Sequence, residues 1–164
     1  VRVFVGRGSS GVRGIRLKPN DYVVSMSLIP NLENKFILSV TENGFGKRTP
    51  IDDYRMTNRG GQGVANIECS ARNGPVVASY VASEDDQIML VTNSGKLIRI
   101  RVHGGEGDSI RVAGRKTQGV RLFDVEEGEK VVSVALLSEN EDEQDEENSE
   151  DFVENKNDGK WLLN

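Results

Sequence analysis

The sequence predicts an all-β protein built from repeated units of roughly fifty residues, and three observations predict it. The pattern Arg-x-x-x-Gly-Val occurs three times: Arg7-Gly8-Ser9-Ser10-Gly11-Val12, Arg59-Gly60-Gly61-Gln62-Gly63-Val64 and Arg115-Lys116-Thr117-Gln118-Gly119-Val120. The closing glycines lie 52 and 56 residues apart. A Val-Val pair follows each copy: Val23-Val24, Val76-Val77 and Val131-Val132. An apolar run ending in a turn occurs twice, as Phe36-Ile37-Leu38-Ser39-Val40-Thr41-Glu42-Asn43-Gly44 and Ile88-Met89-Leu90-Val91-Thr92-Asn93-Ser94-Gly95. Four residues past each closing glycine stands an arginine, Arg48 and Arg99. Recurrence in the same order at near-constant spacing marks a repeat architecture.

In chain order, each unit reads as strands. Tyr22 to Leu28, Lys35 to Thr41, Val76 to Ala82, Gln87 to Thr92 and Lys130 to Leu137 are β-branched or apolar runs of strand length. Glu42-Asn43-Gly44 and Asn93-Ser94-Gly95 are hairpin turns, because Asn and Gly tolerate the positive φ that tight hairpins need. Ile88 to Val91 is continuously apolar, as in a strand buried on both faces. Ile98, Ile100 and Val102 alternate with Arg99 and Arg101, which predicts one buried face and one cationic face. No long helix is indicated. Three or four strands per unit fit a blade of a propeller-like array.

Composition sets outer limits. The 164 residues include 18 glycines and five Phe, as expected where tight turns abound. No apolar run is long enough for a transmembrane helix, which needs about 18 residues. The opening Val1-Arg2-Val3-Phe4 lacks an initiator Met and the pattern of a signal peptide, so the chain reads as a fragment or a processed piece. The single Cys69 excludes a disulfide framework and a Cys-based zinc site, and fits a reducing compartment. The single His103 excludes a His-rich metal site.

Charge divides the chain. Of 26 acidic and 21 basic residues, 11 acids and two lysines fall in residues 138–164, a net charge of −9. Residues 1–137 keep 15 acids and 19 bases, a net of +4. A basic body with an acidic tail suggests a polyanion partner and an intramolecular competitor for it; the alternative is a solvated end that confers solubility. Glu139 to Glu147 holds no apolar residue and is expected to be disordered. Trp161-Leu162-Leu163 either docks on the body or stays loose.

Catalytic readings find little support. Arg59-Gly60-Gly61-Gln62-Gly63 lacks the Gly-Lys-Ser/Thr ending of a phosphate-binding loop. Glu84-Asp85-Asp86 and Asp52-Asp53 read as solvated loop acids rather than a Mg²⁺ site. His103 sits in a turn and is expected to be exposed, and Cys69 is expected to be a small core residue.

The segments Gly11-Val12-Arg13-Gly14-Ile15-Arg16-Leu17, Asn43-Gly44-Phe45-Gly46-Lys47-Arg48-Thr49-Pro50, Asp86-Gln87-Ile88-Met89-Leu90 and Gly114-Arg115-Lys116-Thr117-Gln118-Gly119-Val120 resemble the C-terminal domain of DNA gyrase A. The resemblance spans residues 1–137. It implies a six-bladed β-pinwheel, of which these residues would be the last two and a half to three blades, followed by the acidic tail at 138–164. It also implies a basic rim that wraps DNA without reading its sequence, in a type II topoisomerase that introduces negative supercoils. The implied partners are double-stranded DNA, the remainder of gyrase A and the whole of gyrase B in an A2B2 complex, with no membrane, in the bacterial cytoplasm. ATP and Mg²⁺ would serve the whole complex, with no cofactor in this chain. The family's signature box, QRRGGKG, has only a degenerate echo in Asn58-Arg59-Gly60-Gly61-Gln62-Gly63, where Gln62 replaces the Lys. The catalytic tyrosine of type II topoisomerases lies in another domain, so Tyr22, Tyr54 and Tyr80 are assigned no such role.

Wrapping needs cations repeated along a rim, because Lys and Arg neutralise phosphates and release counterions. Arg7, Arg59 and Arg115 share one repeat position, and Arg48 and Arg99 share another. Arg13, Arg16, Lys47, Arg101, Lys116 and Arg121 lie beside them and complete the candidate DNA-binding set. Alternatively, some of these side chains cap blades by bonding carbonyls or acids. Two further functional readings stand beside gyrase: the C-terminal domain of its topoisomerase IV homologue, with fewer and more degenerate blades, and a propeller-like protein-interaction module with no DNA role.

Overall fold

The computed structural model describes residues 5–29, 33–104 and 109–138. Seven strands are present among them: β1 (Phe36–Thr41), β2 (Phe45–Pro50), β3 (Val76–Ala82), β4 (Gln87–Thr92), β5 (Leu97–Arg101), β6 (Val120–Arg121) and β7 (Val131–Leu137). A short 3₁₀ turn, Ile51–Asp53, follows β2. The strands form two antiparallel sheets, in the order β3-β1-β2-β6 and β5-β4-β7. The all-β expectation holds. The acidic tail beyond Ser138, including Trp161-Leu162-Leu163, lies outside the described residues.

The repeat in sequence is a repeat in register. β3 pairs with β1 from Phe36↔Ala82 to Thr41↔Val76. β7 pairs with β4 from Gln87↔Leu137 to Thr92↔Val131. Both ladders slip at the same place, between Val40 and Thr41 and between Val91 and Thr92. Each strand opened by a Val-Val pair therefore joins the hairpin of the preceding unit. The third unit reaches further: its Val120-Arg121 pairs with Gly46 and Phe45 on β2. One sheet is thus composed from three successive units.

Two kinds of glycine make this exchange possible. Gly44 and Gly95 close the hairpins at φ of 75° and 85°, a region costly for residues with a Cβ. The three repeat glycines, Gly11, Gly63 and Gly119, share φ values of 77°, 78° and 78°. At Gly119 a Cβ would stand 2.6 Å from the Gly46 carbonyl oxygen, so this close backbone approach accepts only glycine.

The core lies between the two sheets. Leu38 and Val40 of β1, Ala78 and Ala82 of β3, Ile88 and Leu90 of β4, and Val131 and Val134 of β7 are buried together with Val102 and Ile110. The Tyr80 hydroxyl donates to the Val134 carbonyl at 2.5 Å and ties β3 to β7.

Three expectations need correction. Tyr22 to Leu28 forms no strand, and Tyr22, Met26 and Leu28 are exposed. The equivalent strands β3 and β7 need a preceding hairpin as partner, and no hairpin precedes Tyr22 among the described residues. The segment is tied to β3 through Ser25, whose hydroxyl donates to the Ser79 carbonyl at 2.8 Å. The β4 strand is buried on one face alone: Ile88 and Leu90 are buried, while Met89 and Val91 are half-buried. Cys69 is exposed rather than core. It lies in a stretch without strand alternation, where the buried position is taken by Asn73, whose amide donates to the Glu68 and Gln118 carbonyls.

Candidate nucleic-acid interface

The strand pattern divides the eleven candidate cations into surface and interior groups. Arg7, Arg13, Arg16 and Arg59 are exposed on the segments before β3. Arg99 and Arg101 are exposed on one face of β5, while Ile98 and Ile100 are half-buried on the other, as the alternation predicts. The Arg99 Nε donates to Gln87 Oε1 at 2.7 Å. Lys116 and Arg121 are also exposed. Arg121 forms an exposed ion pair with Asp124 at 2.5 Å.

Lys47 and Arg48 depart from the rim reading. Lys47 is fully buried, and its ammonium donates to three carbonyls: Asn66 at 2.7 Å, Gly114 at 2.6 Å and Arg115 at 2.9 Å. Three N–H donors meet three acceptors, which uses the whole donor capacity of a lysine. Burial, and next the charge of Arg115, lower the Lys47 pKa from the ordinary lysine value. Arg48 is 5 % exposed. Its Nε donates to the Ile110 carbonyl at 2.7 Å, its Nη1 pairs with Glu84 Oε1 at 3.3 Å, and its guanidinium lies 4.9 Å from the Phe36 ring centroid. The physical reason is the third unit. Residues 111–113 run along the outer edge of β2, with Arg48 N–H donating to the Arg111 carbonyl and Ala113 N–H to the Arg48 carbonyl. They cover side chains that the hairpin alone would leave exposed. Arg99, the repeat equivalent of Arg48, sits on β5, which has no strand on its outer side among the described residues.

Arg115 is intermediate. Its Nη1 donates to the Ala65 carbonyl at 3.0 Å, and its guanidinium lies 5.8 Å from the Tyr54 ring centroid. The Tyr54 hydroxyl donates to the Asn66 side-chain carbonyl, and the Asn66 amide donates to Ser39 Oγ at 2.6 Å. Burial raises the Tyr54 pKa from the ordinary tyrosine value. This polar network joins the second and third copies of the repeat motif to β1 and holds the Arg115-Lys116 turn in place.

The remaining chemistry is structural. His103 is exposed, as expected, with Nδ1 2.9 Å from Ser109 Oγ and 3.4 Å from Arg48 Nη2. Asp86 Oδ2 accepts from the Ser83 N–H at 2.7 Å and closes a turn. Glu129 is buried, and its carboxylate accepts from the Glu126 N–H, the Ser94 and Thr92 hydroxyls and the Lys96 ammonium. These bonds hold its pKa down at about 2, led by the Glu126 N–H. Among the described residues, no group of three His, Cys, Asp or Glu is placed to hold a metal ion. Among the same residues, no helix is long and apolar enough to cross a membrane.

Among the exposed cations outside the candidate set, Arg72 stands on an aromatic ring. Arg72 is exposed, and its guanidinium lies 5.0 Å from the Phe45 ring centroid. It falls outside the repeated motifs, so recurrence gave no signal for it.

Strand-exchanged hairpins carrying surface arginines define a repeat β-propeller of the pinwheel type. The family model of the DNA gyrase C-terminal domain, a beta-propeller, matches residues 1–30, 35–74 and 86–138, and the chain belongs to that family. The DNA gyrase A protein of Neisseria gonorrhoeae is 43 % identical over 141 residues, covering 84 % of this chain and 15 % of that protein. Gyrase A of Rickettsia conorii is 36 % identical over 201 aligned positions, covering 94 % of this chain and 22 % of that protein. The chain therefore spans about a fifth of the length of such relatives. A solved DNA gyrase A C-terminal domain superposes with a TM-score of 0.70 at 30 % identity, over 84 % of this chain and 44 % of that one. A DNA topoisomerase IV C-terminal domain gives 0.67 at 31 % identity, over 77 % and 38 %.

Proposed function

We propose that the chain is a DNA-binding and wrapping module of gyrase A that does not read sequence. The observation that carries this reading is the set of exposed cations, Arg7, Arg13, Arg16, Arg59, Arg99, Arg101, Lys116 and Arg121, on blades of a family named for DNA gyrase. Such cations neutralise phosphates and release condensed counterions, so affinity falls steeply with salt. No recognition helix is present among the described residues to read base edges. Preference among sequences would come from the ease of bending them. The remainder of gyrase A and the whole of gyrase B would be the protein partners. Gyrase B would supply ATP hydrolysis, with its Mg²⁺, for negative supercoiling, and the complex would act in the bacterial cytoplasm.

The acidic segment 138–164 fits a competitor for the cationic surface, since it sets −9 of charge beside +4. The topoisomerase IV reading is supported by the 0.67 TM-score. The protein-interaction reading draws on the inward aim of Arg48 and the carbonyl-capping of Arg115. Anisotropy of a labelled duplex across a salt series, for residues 1–164 and 1–137, separates DNA binding from the protein-interaction reading. DNA binding predicts a steep negative slope and tighter binding by the shorter chain. Absence of binding by both at low salt would refute it.

A further inference from the structure

The tips of the two hairpins are built alike in backbone and differ in charge. At the first tip, the Phe45 ring carries two guanidinium groups, Arg72 at 5.0 Å and Arg121 at 5.5 Å from its centroid. Phe45 is only 3 % exposed, while both arginines are exposed. The ring is apolar ground covered by two cations. At the second tip, the shared register puts Lys96 at the position of Phe45. Arg72 stands four residues before the start of β3, and the residue four before β7 is Glu127. Lys96 is held by Glu126 at 2.7 Å and by Glu129 at 3.0 Å. The second tip is therefore neutralised by its own carboxylates.

We propose that Arg72 and Arg121, held on the Phe45 ring, form a two-guanidinium clamp for DNA phosphates, and that DNA is gripped at this hairpin tip and not at the next. The proposal rests on the DNA-binding reading and gives that reading a site. An aromatic face attracts a guanidinium through the ring quadrupole. A planar fork held in advance gives up less freedom when it meets a phosphate. Each guanidinium has five N–H donors, and stacking leaves their edges able to donate. Arg72 makes no ion pair among the described residues. Arg121 gives one N–H to Asp124, but that pair is exposed on both sides, 60 % and 81 %, and such surface pairs are weak and readily exchanged.

The test uses the 164-residue chain and a labelled duplex, with affinity read by anisotropy across a potassium chloride series. Removing one phosphate-binding cation should flatten the log–log salt slope by about 0.9. R72Q should therefore flatten it by about 0.9, and R72Q/R121Q by about 1.8, with affinity falling several-fold at low salt. F45L keeps the charge and the apolar filling but removes the ring, and should weaken binding without unfolding the chain. Urea midpoints run in parallel should not move for the two arginine variants, which separates weakened binding from a weakened fold. If the wild-type chain binds with a steep slope and R72Q/R121Q keeps that slope, the clamp is overturned and the DNA reading survives. If the wild-type chain does not bind, both fall together.

Discussion

Replacing Lys47 by Met separates a lysine that staples the fold from one that meets DNA. The methionine keeps the apolar stem and removes the ammonium. In the structure that ammonium is fully buried and donates to the carbonyls of Asn66, Gly114 and Arg115. A hydrogen bond from a charged group is worth about 1.5–3 kcal/mol net, and a buried acceptor left without a partner adds its own penalty. Against this stands the desolvation of the ammonium, which the lowered pKa records and which the variant no longer bears. The net expectation for K47M is a loss of about 2–4 kcal/mol. Urea unfolding followed by circular dichroism reads this as a lower midpoint at unchanged m-value. Under conditions where K47M stays folded, the salt slope of DNA binding should match the wild type. A surface phosphate contact would give the reverse: stability within about 0.5 kcal/mol of wild type and a slope flatter by about 0.9. That reverse result would refute the staple.

Two further outcomes follow from the same geometry. Glu129 has its folded pKa depressed to about 2 from the ordinary carboxylate value of 4.5, so its contribution is present above pH 4.5 and is lost as pH falls toward 2. The stability gap between wild type and E129Q should accordingly be widest near neutrality and close across that window, as read by urea midpoints; a gap independent of pH would contradict it. Gly119→Ala should destabilise by more than Gly128→Ala. Both positions have positive φ, 78° and 80°, but only at Gly119 does the new methyl meet a carbonyl, at 2.6 Å, whereas Gly128 has open space. The strain common to both is about 1–2 kcal/mol, and equal losses would show that the close approach of Gly119 to Gly46 relaxes at no cost.

Much of the blade was legible because strands write themselves in local pattern. The runs 35–41, 76–82, 87–92 and 130–137 contain β1, β3, β4 and β7 to within a residue, and both hairpin turns carry the Gly that their φ requires. Tyr22 to Leu28 has the same local pattern and no strand, because pairing is supplied by another unit and not by the segment itself. The same non-locality governs the site. Lys47 and Arg48 have the composition of a basic surface, and the covering segment 110–115, with the Asn66 carbonyl on Lys47, makes them interior. Arg99 shares the repeat position of Arg48 and remains exposed because no described strand pairs with β5 on its outer side. Arg72 was missed for the complementary reason: its aromatic support is residue 45, which is distant in sequence and has Lys96 as its counterpart in the second hairpin. Recurrence therefore located the cations, and strand exchange decided which of them face solvent.

Wrapping, as opposed to binding, is tested most directly by DNA topology. A nicked circular plasmid is sealed by ligase in the presence of increasing amounts of the 164-residue chain, then stripped of protein and resolved on a gel. A cationic blade surface that bends DNA predicts a shift in linking number of one constant sign, growing with protein and vanishing at high salt. An unchanged linking number at protein concentrations that saturate the plasmid would contradict the account.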